Sequence, residues 1–445
     1  MENAILIKDF FEKNKLKEGA LVEFEFKGQK ITGTIIPSKD NLMIKLSSGY
    51  NAGFETSEIK QIKLIGEAKS VGKAKTIEIK KNPNLPTIAV LHTGGTIASR
   101  VDYRTGGVYT SFTPEDLITM FPELTKMANF EARLLKKMWS DDFRFAHFSF
   151  VAEEIKKEVE KGADGIIVGM GTDNLCSGAA GIAFTLENCP IPVIIVGAQR
   201  SSDRGSSDAA MNLICAAKFI TETDFSGVAI CMHDSSSDTS CAILPACKTR
   251  KMHTSRRDAF KAINDTPIAK VDYSTGKIDF IKTNYPKKNK SGKIIIKPKF
   301  EPRVALLKIH VNMFPEQFEF YSEKGFKGLV IEGTGLGQTP GHLPDEITEK
   351  EGHGKIFPSI KKFVDKGGIA VMISQCINGR VHMHVYDKAI DLTEIGVIPG
   401  EDMLAETALI KLAWLLGNYS PEEAKKLLTK NLRGEISEFT RTDTY

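Results

Sequence analysis

The hydrophobic pattern of the chain changes at about residue 87. From there onward, short runs of Ile, Val, Leu and Ala recur, with longer mixed stretches between them. Several of these runs are almost uninterrupted, which is typical of strands that are covered on both faces of a sheet. The predicted strands span residues 87–91, 165–168, 193–196, 228–232, 304–309, 329–331 and 369–373.

Helical stretches lie between these strands, for example residues 151–161 and 209–221. Strands that alternate with helices predict a doubly wound parallel sheet, so this part of the chain belongs to the α/β class. Residues 285–299 carry six lysines and no acidic residue, and we interpret them as a linker. The linker divides the α/β part into an N-terminal domain at 86–285 and a C-terminal domain at 300–420.

The first 80 residues have a different pattern. Short extended runs at 21–26, 31–36 and 42–46 are separated by Gly28 and by a Ser-Lys-Asp-Asn cluster at 38–41. Short strands at this spacing are typical of a small antiparallel β-barrel of SH3-like size. The sequence thus predicts a barrel at 1–80, the two α/β domains, and a C-terminal tail at 421–445.

Composition narrows the class of protein. The 445 residues are 41% hydrophobic and 26% charged, as in soluble globular proteins. The net charge of +4 is too small to indicate a nucleic-acid-binding protein by itself. The seven cysteines are odd in number and form no Cys-x-x-Cys pair, so we expect reduced, buried thiols rather than a disulfide framework.

The chain also lacks the sequence signals for secretion or membrane insertion. The first fifteen residues mix acidic and basic side chains and contain no uncharged segment of the kind that a secretory signal has. The apolar runs fall far short of the roughly 18 residues that a membrane span needs. We therefore expect a cytoplasmic protein with no membrane partner.

Candidate chemistry follows two of the predicted strands. Ligands of open α/β sheets bind at the carboxyl ends of strands. The first strand is followed by a Thr-Gly-Gly-Thr turn that ends at Thr96, and the second by Gly-Met-Gly-Thr-Asp, which ends in Thr172 and Asp173. Glycines let the backbone approach a ligand closely. A threonine hydroxyl becomes a nucleophile when a base removes its proton, and Asp173 is placed to hold a lysine that acts as this base.

Two simpler explanations remain open at this point. A lone Gly-Gly-Thr is often only a turn with a helix cap, and Thr-Asp at the start of a helix is an ordinary N-cap. Patterns for other chemistries are absent from the sequence: there is no phosphate-binding loop, no nucleophile elbow and no His-Glu-x-x-His motif. We predict no metal site and no nucleotide site in this chain.

The two motifs resemble those of a known family. The segments HTGGTIAS at 92–99 and GMGTDN at 169–174 are similar to the paired threonine motifs of the L-asparaginase/glutaminase family, and the similarity extends over about residues 86–420. The chain also resembles the D-subunit family of archaeal glutamyl-tRNA(Gln) amidotransferases. That similarity includes the barrel, KMHTSRRDAF at 251–260, EGTGLGQTPGHLP at 332–344 and the tail GEISEFTRTDTY at 434–445.

The resemblance implies roles for four residues. Thr96 matches the nucleophile that attacks the side-chain amide carbon of the substrate. Thr172 and Asp173 match the second threonine and its acidic neighbour, and Lys251 matches the lysine that completes the relay. The usual second motif ends in threonine, whereas this chain has Asn174, and we expect altered packing there rather than lost activity.

The resemblance also implies substrate-binding residues. Gly95 lies in the glycine turn whose backbone N–H groups are candidates for holding the oxyanion, and Asp173 lies near the substrate's α-amino group. Ser140 matches a serine near the α-carboxylate, and Tyr109 or Tyr103 falls where a lid supplies a tyrosine. Gln338 lies where a partner protomer reaches into the site, which implies a homodimer.

The resemblance implies a division of labour between subunits. This chain releases ammonia from glutamine or asparagine without a cofactor, and a partner subunit of the E type uses ATP and Mg²⁺ to convert Glu-tRNA(Gln) to Gln-tRNA(Gln). The tRNA binds mainly to that partner, and the two subunits form a heterotetramer. The alternatives are a free-standing L-asparaginase/glutaminase, or an inactive scaffold or amino-acid sensor. All four relay positions are filled, which argues against the last alternative.

Overall fold

A computed structural model of the chain describes residues 9–36, 38, 42–46, 51–67, 81–95, 99–101, 108–110, 122–200, 206–289 and 291–440. For 99–101 and 108–110 it describes the backbone alone. The relay residues Thr172, Asp173 and Lys251 lie among the described residues, whereas Thr96 and Tyr103 lie outside them. Tyr109 lies within the described backbone, but its side chain is outside the description.

The N-terminal part forms an antiparallel sheet with strand order β4-β3-β2-β1-β5. Ala20, Val22 and Phe24 of β1 are buried and the residues between them are partly exposed, because alternate side chains of a strand face opposite sides of the sheet. The three strands predicted here are all present. The strands are β1 (Ala20–Phe26), β2 (Gln29–Ile36), β3 (Leu42–Leu46), β4 (Asn51–Phe54) and β5 (Ile59–Glu67).

The second part is an α/β unit built on an eight-stranded sheet of order β18-β17-β14-β13-β12-β10-β6-β9. Three short pairs lie outside this sheet: β7 with β8, β15 with β16, and β11 with a strand further along the chain. The strands of the unit are β6 (Thr87–His92), β7 (Ser99–Val101), β8 (Val108–Thr110), β9 (Asn129–Leu134), β10 (Gly165–Gly169), β11 (Leu186–Glu187), β12 (Pro192–Val196), β13 (Gly227–His233), β14 (Ser240–Pro245), β15 (Thr249–Lys251), β16 (Phe260–Ala262), β17 (Ala269–Asp272) and β18 (Ile278–Phe280). Its helices are α1 (Phe145–Glu160), α2 (Leu175–Thr185) and α3 (Ala209–Glu222).

The sheet is parallel only in part. Strands β9, β6, β10, β12 and β13 are parallel, and all of them except β9 were predicted from the sequence. Every residue of β10 and β12 is buried. Strands β14, β17 and β18 extend the sheet in antiparallel fashion and were not predicted. In β17, buried residues alternate with partly or fully exposed ones, so the strand lacks the continuous apolar run on which the prediction depended.

Residues 285–299, interpreted from the sequence as a linker, are held along the sheet. The N–H of Ser226 donates to the Pro286 carbonyl at 2.8 Å, and the N–H of Asn289 donates to the Pro190 carbonyl at 3.1 Å. Within this segment a two-residue strand, β19 (Ile295–Ile296), pairs with β11. The lysine-rich stretch therefore connects the two α/β units while being fastened to the first of them.

The third part contains a four-stranded parallel sheet of order β20-β21-β22-β23. Its core packs against the first α/β unit through Trp414, whose ring centroid lies 5.5 Å from that of Phe184. The indole N–H of Trp414 donates to the Lys297 carbonyl at 2.9 Å. Its strands are β20 (Val304–Lys308), β21 (Gly328–Gly333), β22 (Ile369–Ser374) and β23 (Ile398–Pro399), and its helices are α4 (Glu316–Glu323), α5 (Glu346–Lys350), α6 (Ile356–Asp365), α7 (Asp387–Glu394), α8 (Ala405–Asn418) and α9 (Pro421–Leu428).

Candidate active site

The carboxyl ends of β6 and β10 bring the two glycine-threonine turns into contact. The strands are parallel neighbours, and the N–H of Thr93 donates to the Gly169 carbonyl at 2.9 Å. Gly95 has φ +81°, and a Cβ at this position would lie 2.6 Å from the nitrogen of Gly171. Only glycine fits here, because a side chain would need both a left-handed backbone and space that Gly171 occupies. Gly95 in the first turn therefore lies directly against Gly171 in the second.

Lys251 reaches this place from a hairpin far along the chain. It is the last residue of β15, which pairs with β16, and its Nζ lies 3.0 Å from the Oγ1 of Thr172 and 2.8 Å from the Oδ1 of Asp173. An ammonium group has donors only, so Lys251 donates to both the hydroxyl and the carboxylate. Three of the four predicted relay residues are thus brought together.

Burial differs sharply between the members of the relay. Thr172 is 9% exposed and the Lys251 side chain 16% exposed, whereas 70% of the Asp173 side chain is exposed. The hydroxyl and the amine therefore lie in a sheltered position, where electrostatic interactions are stronger than in water. The carboxylate of Asp173 faces outward and remains accessible to a cationic group of a ligand.

Ser140 lies beside the relay rather than at a distance from it. It is buried at the start of the 3-10 helix Ser140–Asp142, and its Oγ accepts hydrogen bonds from the backbone N–H groups of Asp173 at 3.2 Å and Asn174 at 3.3 Å. These N–H groups precede α2, where the backbone lacks partners of its own. Ser140 therefore fixes the backbone that carries Asp173.

Asn174 has a defined partner at the position where the family motif has threonine. Its Nδ2 donates to the Ser140 carbonyl at 3.0 Å, and its backbone N–H donates to the Ser140 hydroxyl at 3.3 Å. Two hydrogen bonds therefore join Asn174 to Ser140. Asn174 thus joins the start of α2 to the 3-10 helix, and the expected alteration in packing stays a prediction. No atom of this contact belongs to the relay.

Gln338 lies on the turn that follows β21. Its carbonyl accepts from the N–H of Thr334 at 3.0 Å, and its Nε2 is buried without a hydrogen-bond partner among the described residues. In the described part of the chain no hydrogen bond joins Gln338 to Thr172, Asp173 or Lys251. Its proposed role across a homodimer stays a prediction, since it concerns a second protomer.

The hairpin that carries Lys251 is anchored by a buried ion pair. The Nζ of Lys248 lies 2.5 Å from the Oδ2 of Asp402, and both side chains are almost completely buried. Burial lowers the pKa of Lys248, while the carboxylate of Asp402 opposes this effect. The neighbouring Arg250 pairs with Glu406 at 3.3 Å. The second α/β unit thereby fixes the position of the relay lysine.

A thiol near the relay has the wrong protonation state for catalysis. Burial raises the pKa of Cys176 to about 12, with a further contribution from Glu406. A thiol is nucleophilic as the thiolate, which is scarce at neutral pH when the pKa is this high. Cys176 is therefore not a candidate nucleophile.

Two further properties concern the described residues as a set. No group of three or more His, Cys, Asp and Glu side chains among them is arranged to hold a metal ion. None of their helices combines the length and apolar character needed to cross a membrane.

Sequence comparison extends these observations to the whole chain. Residues 87–285 match the family described as Asparaginase, N-terminal, residues 303–428 match the Glutaminase/Asparaginase C-terminal domain, and residues 16–65 match the GatD N-terminal domain. The D subunit of the glutamyl-tRNA(Gln) amidotransferase of Pyrococcus furiosus is 43% identical, and the match covers 100% of this chain and 98% of that protein. The corresponding protein of Thermococcus kodakarensis is 40% identical over 99% of each chain. The chain belongs to the D-subunit family of glutamyl-tRNA(Gln) amidotransferases.

Solved structures place the α/β part of this D-subunit family member among the L-asparaginases. The thermostable L-asparaginase of Thermococcus kodakarensis matches with a TM-score of 0.68 and 25% identity, covering 79% of this chain and 100% of that one. L-asparaginase I of Vibrio cholerae matches with a TM-score of 0.67 and 25% identity, covering 79% and 99%. The matches to L-asparaginase structures thus cover part of the chain, whereas the match to the D subunit of Pyrococcus furiosus covers all of it.

Sequence reasoning assigned no role to one residue of this D-subunit site. Gln199 follows β12 by three positions, and its Oε1 lies 3.5 Å from the Oγ1 of Thr172. Its place after the carboxyl end of a parallel strand was visible in the sequence. The contact with Thr172 was not, because it depends on how two loops pack.

Proposed function

We propose that this chain is the amide-hydrolysing subunit of a glutamyl-tRNA(Gln) amidotransferase. It releases ammonia from glutamine or asparagine and supplies it to a partner subunit, which converts Glu-tRNA(Gln) to Gln-tRNA(Gln). The observation that carries the proposal is the contact of Lys251 with both Thr172 and Asp173, in a chain that matches the D-subunit family from end to end.

The proposed reaction uses two threonine hydroxyls. Lys251 acts in this step as the neutral amine. The Thr96 oxygen attacks the side-chain amide carbon of the substrate while its proton passes through the Thr172 hydroxyl to Lys251. The C–N bond breaks, the nitrogen takes up a proton and leaves as ammonia, and an acyl ester on Thr96 remains. Water then attacks the ester, which releases the carboxylic acid and restores the hydroxyl.

The surrounding groups bind and orient the substrate in this proposal. The exposed carboxylate of Asp173 receives the substrate's α-amino group, and Ser140 lies near the α-carboxylate. Backbone N–H groups at Gly95 hold the oxyanion, where the loss of one donor costs on the order of 10²-fold or more in rate. Tyr109, with Tyr103 as the alternative, closes over the site, and Gln338 contacts the site of the second protomer in a homodimer.

We assign the remaining activities to other chains. The family name of the relatives denotes one subunit of a multi-subunit enzyme. We propose that two copies of this chain join two E-type partner subunits in a cytoplasmic heterotetramer, and that ATP, Mg²⁺ and most tRNA contacts belong to the partner. This chain then works without a cofactor.

A free-standing L-asparaginase is the second candidate, favoured by the similarity to solved asparaginases over 79% of the chain. Ammonia release from glutamine separates the two functions when it is measured on the chain alone, with the partner, and with the partner plus Glu-tRNA(Gln). We expect slow release by the chain alone and a strong increase with partner and charged tRNA. Fast ammonia release by the chain alone, with no increase when the partner and Glu-tRNA(Gln) are added, favours the free-standing enzyme.

Variants at position 96 test the nucleophile in the same assay. Thr96→Ala removes the attacking oxygen and should abolish ammonia release under all three conditions. Thr96→Ser keeps an oxygen and should retain measurable release. If Thr96→Ala released ammonia at the wild-type rate, the assigned nucleophile would be wrong.

A further inference from the structure

Gln199 lies against the hydroxyl of the relay threonine. The Oγ1 of Thr172 receives a hydrogen bond from Lys251 at 3.0 Å and lies 3.5 Å from the Oε1 of Gln199, near the long limit of a hydrogen bond. Gln199 is thus the second polar side chain in contact with this hydroxyl. The proposed function gives it no task.

The chemistry of the three groups determines how the carboxamide is oriented. In the substrate-free site the Lys251 ammonium donates to the Thr172 oxygen, which keeps its own proton to donate until the lysine acts as a base. That proton requires an acceptor, which the carboxamide oxygen of Gln199 supplies and its nitrogen does not. The Nε2 therefore faces away from Thr172.

The Nε2 of Gln199 is a donor group without an acceptor. The atom is buried and has no hydrogen-bond partner among the described residues. Buried polar groups are nearly always paired, and the exceptions call for a specific explanation such as a catalytic or ligand-binding role. An acceptor that arrives with the substrate is one such explanation.

The backbone of Gln199 is held firmly, so the unpaired amide is not the end of a loose loop. The N–H groups of Gln199 and Arg200 each donate to the carboxylate of Asp208 at 3.0 Å. Asp208 is completely buried directly before α3, where the helix N-terminus favours a negative charge. The side chain of Asn212 donates to the Gly197 carbonyl at 3.0 Å.

The same strand end is packed directly on the relay threonine. A Cβ at Gly197 would lie 3.0 Å from the Cγ2 of Thr172 and 2.7 Å from the Cδ1 of Leu175. There is no space for a side chain between these residues, so the segment after β12 packs tightly on the segment after β10. Gln199 is therefore preorganised with respect to Thr172.

We propose that Gln199 is a substrate-contacting residue of the amide-hydrolysing site. Its Nε2 donates a hydrogen bond to a carboxyl or carboxamide oxygen of the bound amino acid, while its Oε1 accepts from the Thr172 hydroxyl in the substrate-free site. The proposal rests on the proposed function, because it assumes an amino-acid substrate beside Thr172. It adds a donor that neither Ser140 nor Asp173 supplies.

The exchange Gln199→Glu removes the donor and adds a negative charge, and Gln199→Met removes the donor without adding a charge. Glutamate has the same shape and keeps an oxygen toward Thr172, but an ionised carboxylate has no N–H to donate. We expect the KM for glutamine to rise about tenfold to a hundredfold, with a smaller change in kcat. Gln199→Met has a similar length and removes both functions, so KM should rise and kcat should fall. Gln29→Glu, an exposed site on β2, makes the same charge change and should leave both constants unaltered.

Equilibrium binding tests the contact between Gln199 and the substrate without depending on catalysis by the relay. Calorimetric titration of glutamine into Lys251→Met, with and without Gln199→Glu, measures affinity without turnover. A Kd raised about tenfold or more by the second substitution supports the contact. An unchanged Kd and KM in folded Gln199→Glu and Gln199→Met, or a fall in kcat alone, overturns it. Wild-type ammonia release by Lys251→Met would instead contradict the proposed function.

Discussion

The Nζ of Lys251 lies 3.0 Å from the Oγ1 of Thr172, although 79 positions separate the two residues in the chain. The strand next to each residue does not by itself bring the two side chains together. Thr172 is set by the turn after β10, and Lys251 by a hairpin that the second α/β unit holds through Lys248 and Asp402. The relay is therefore a product of both units, and its geometry depends on their packing.

Removing the hydroxyl of Thr172 should disable the reaction without unfolding the protein. Thr172→Val keeps the shape of the side chain but loses the group that links Lys251 to the nucleophile, and general acid–base contributions are typically 10²–10⁴-fold. We expect kcat for ammonia release to fall by about this factor at an unchanged melting temperature. Thr172→Ser should restore part of the rate, and equal rates for the valine variant and wild type would refute the relay.

Ser140→Ala should lower both stability and activity. The substitution leaves the partly buried N–H groups of Asp173 and Asn174 without their acceptor, which costs at most about 1–3 kcal/mol. The turn that carries Asp173 then loosens, so kcat/KM should fall as well. Thermal unfolding and ammonia release measure the two effects, and Ser291→Ala, at an exposed serine, is the control. Stability and kcat/KM equal to those of the control would contradict this role.

The sequence predicts the buried parallel strands well, since β10 and β12 are continuous apolar runs with both faces covered. It misses the antiparallel strands β14, β17 and β18. Strand β17 alternates between buried and more exposed residues, whereas β14 is buried at five of its six residues and was missed despite its apolar run. The periodicity of the sequence places Thr172 and Asp173 at a strand end, but only the family resemblance points to Lys251. The contacts of Gln199 and Lys248 depend on tertiary packing, so the sequence does not predict them. Lysine ordinarily lies on the surface, so the burial of Lys248 is not expected from the sequence.

The C-terminal tail should be part of the folded core. Glu435 and Lys411 form an ion pair at 2.6 Å with both side chains fully buried, and burial lowers the pKa of Lys411. Glu435→Gln leaves the amine without its counter-charge, and breaking a buried pair in this way costs about 3–5 kcal/mol. Urea unfolding should show this loss, whereas Glu438→Gln, on the exposed surface, should change stability by less than about 0.5 kcal/mol. If Glu435→Gln lost no more stability than Glu438→Gln, the buried ion pair would not stabilise the fold as predicted.

Acidification should destabilise the protein through His233. Its side chain is fully buried, and burial lowers its pKa below the ordinary value of 6.5, against the opposing effect of its hydrogen bond to Asp238. The folded state therefore favours the neutral ring, and this contribution to stability is complete above about pH 6.5 and is lost as the pH falls below that value. The loss reaches at most about 1.4 kcal/mol per pH unit.

Melting temperatures at pH 7.5 and 5.5 measure this effect. The decrease on acidification should be smaller in His233→Gln than in the wild type, because the variant has no ring to protonate. His384→Gln, at an exposed histidine, should behave like the wild type. If all three proteins lost the same stability, His233 would not be the group responsible.

The most direct test of the central claim compares two lysines of one hairpin. Lys251 ends β15 and contacts Thr172, whereas Lys261 lies on the paired strand β16 and donates to the Asp234 carbonyl instead. Ammonia release from glutamine should fall at least about 10²-fold in Lys251→Met and remain near the wild-type rate in Lys261→Met. A rate for Lys251→Met within a few-fold of wild type would contradict the account, because the contact between this amine and the Thr172 hydroxyl would then have no part in the chemistry.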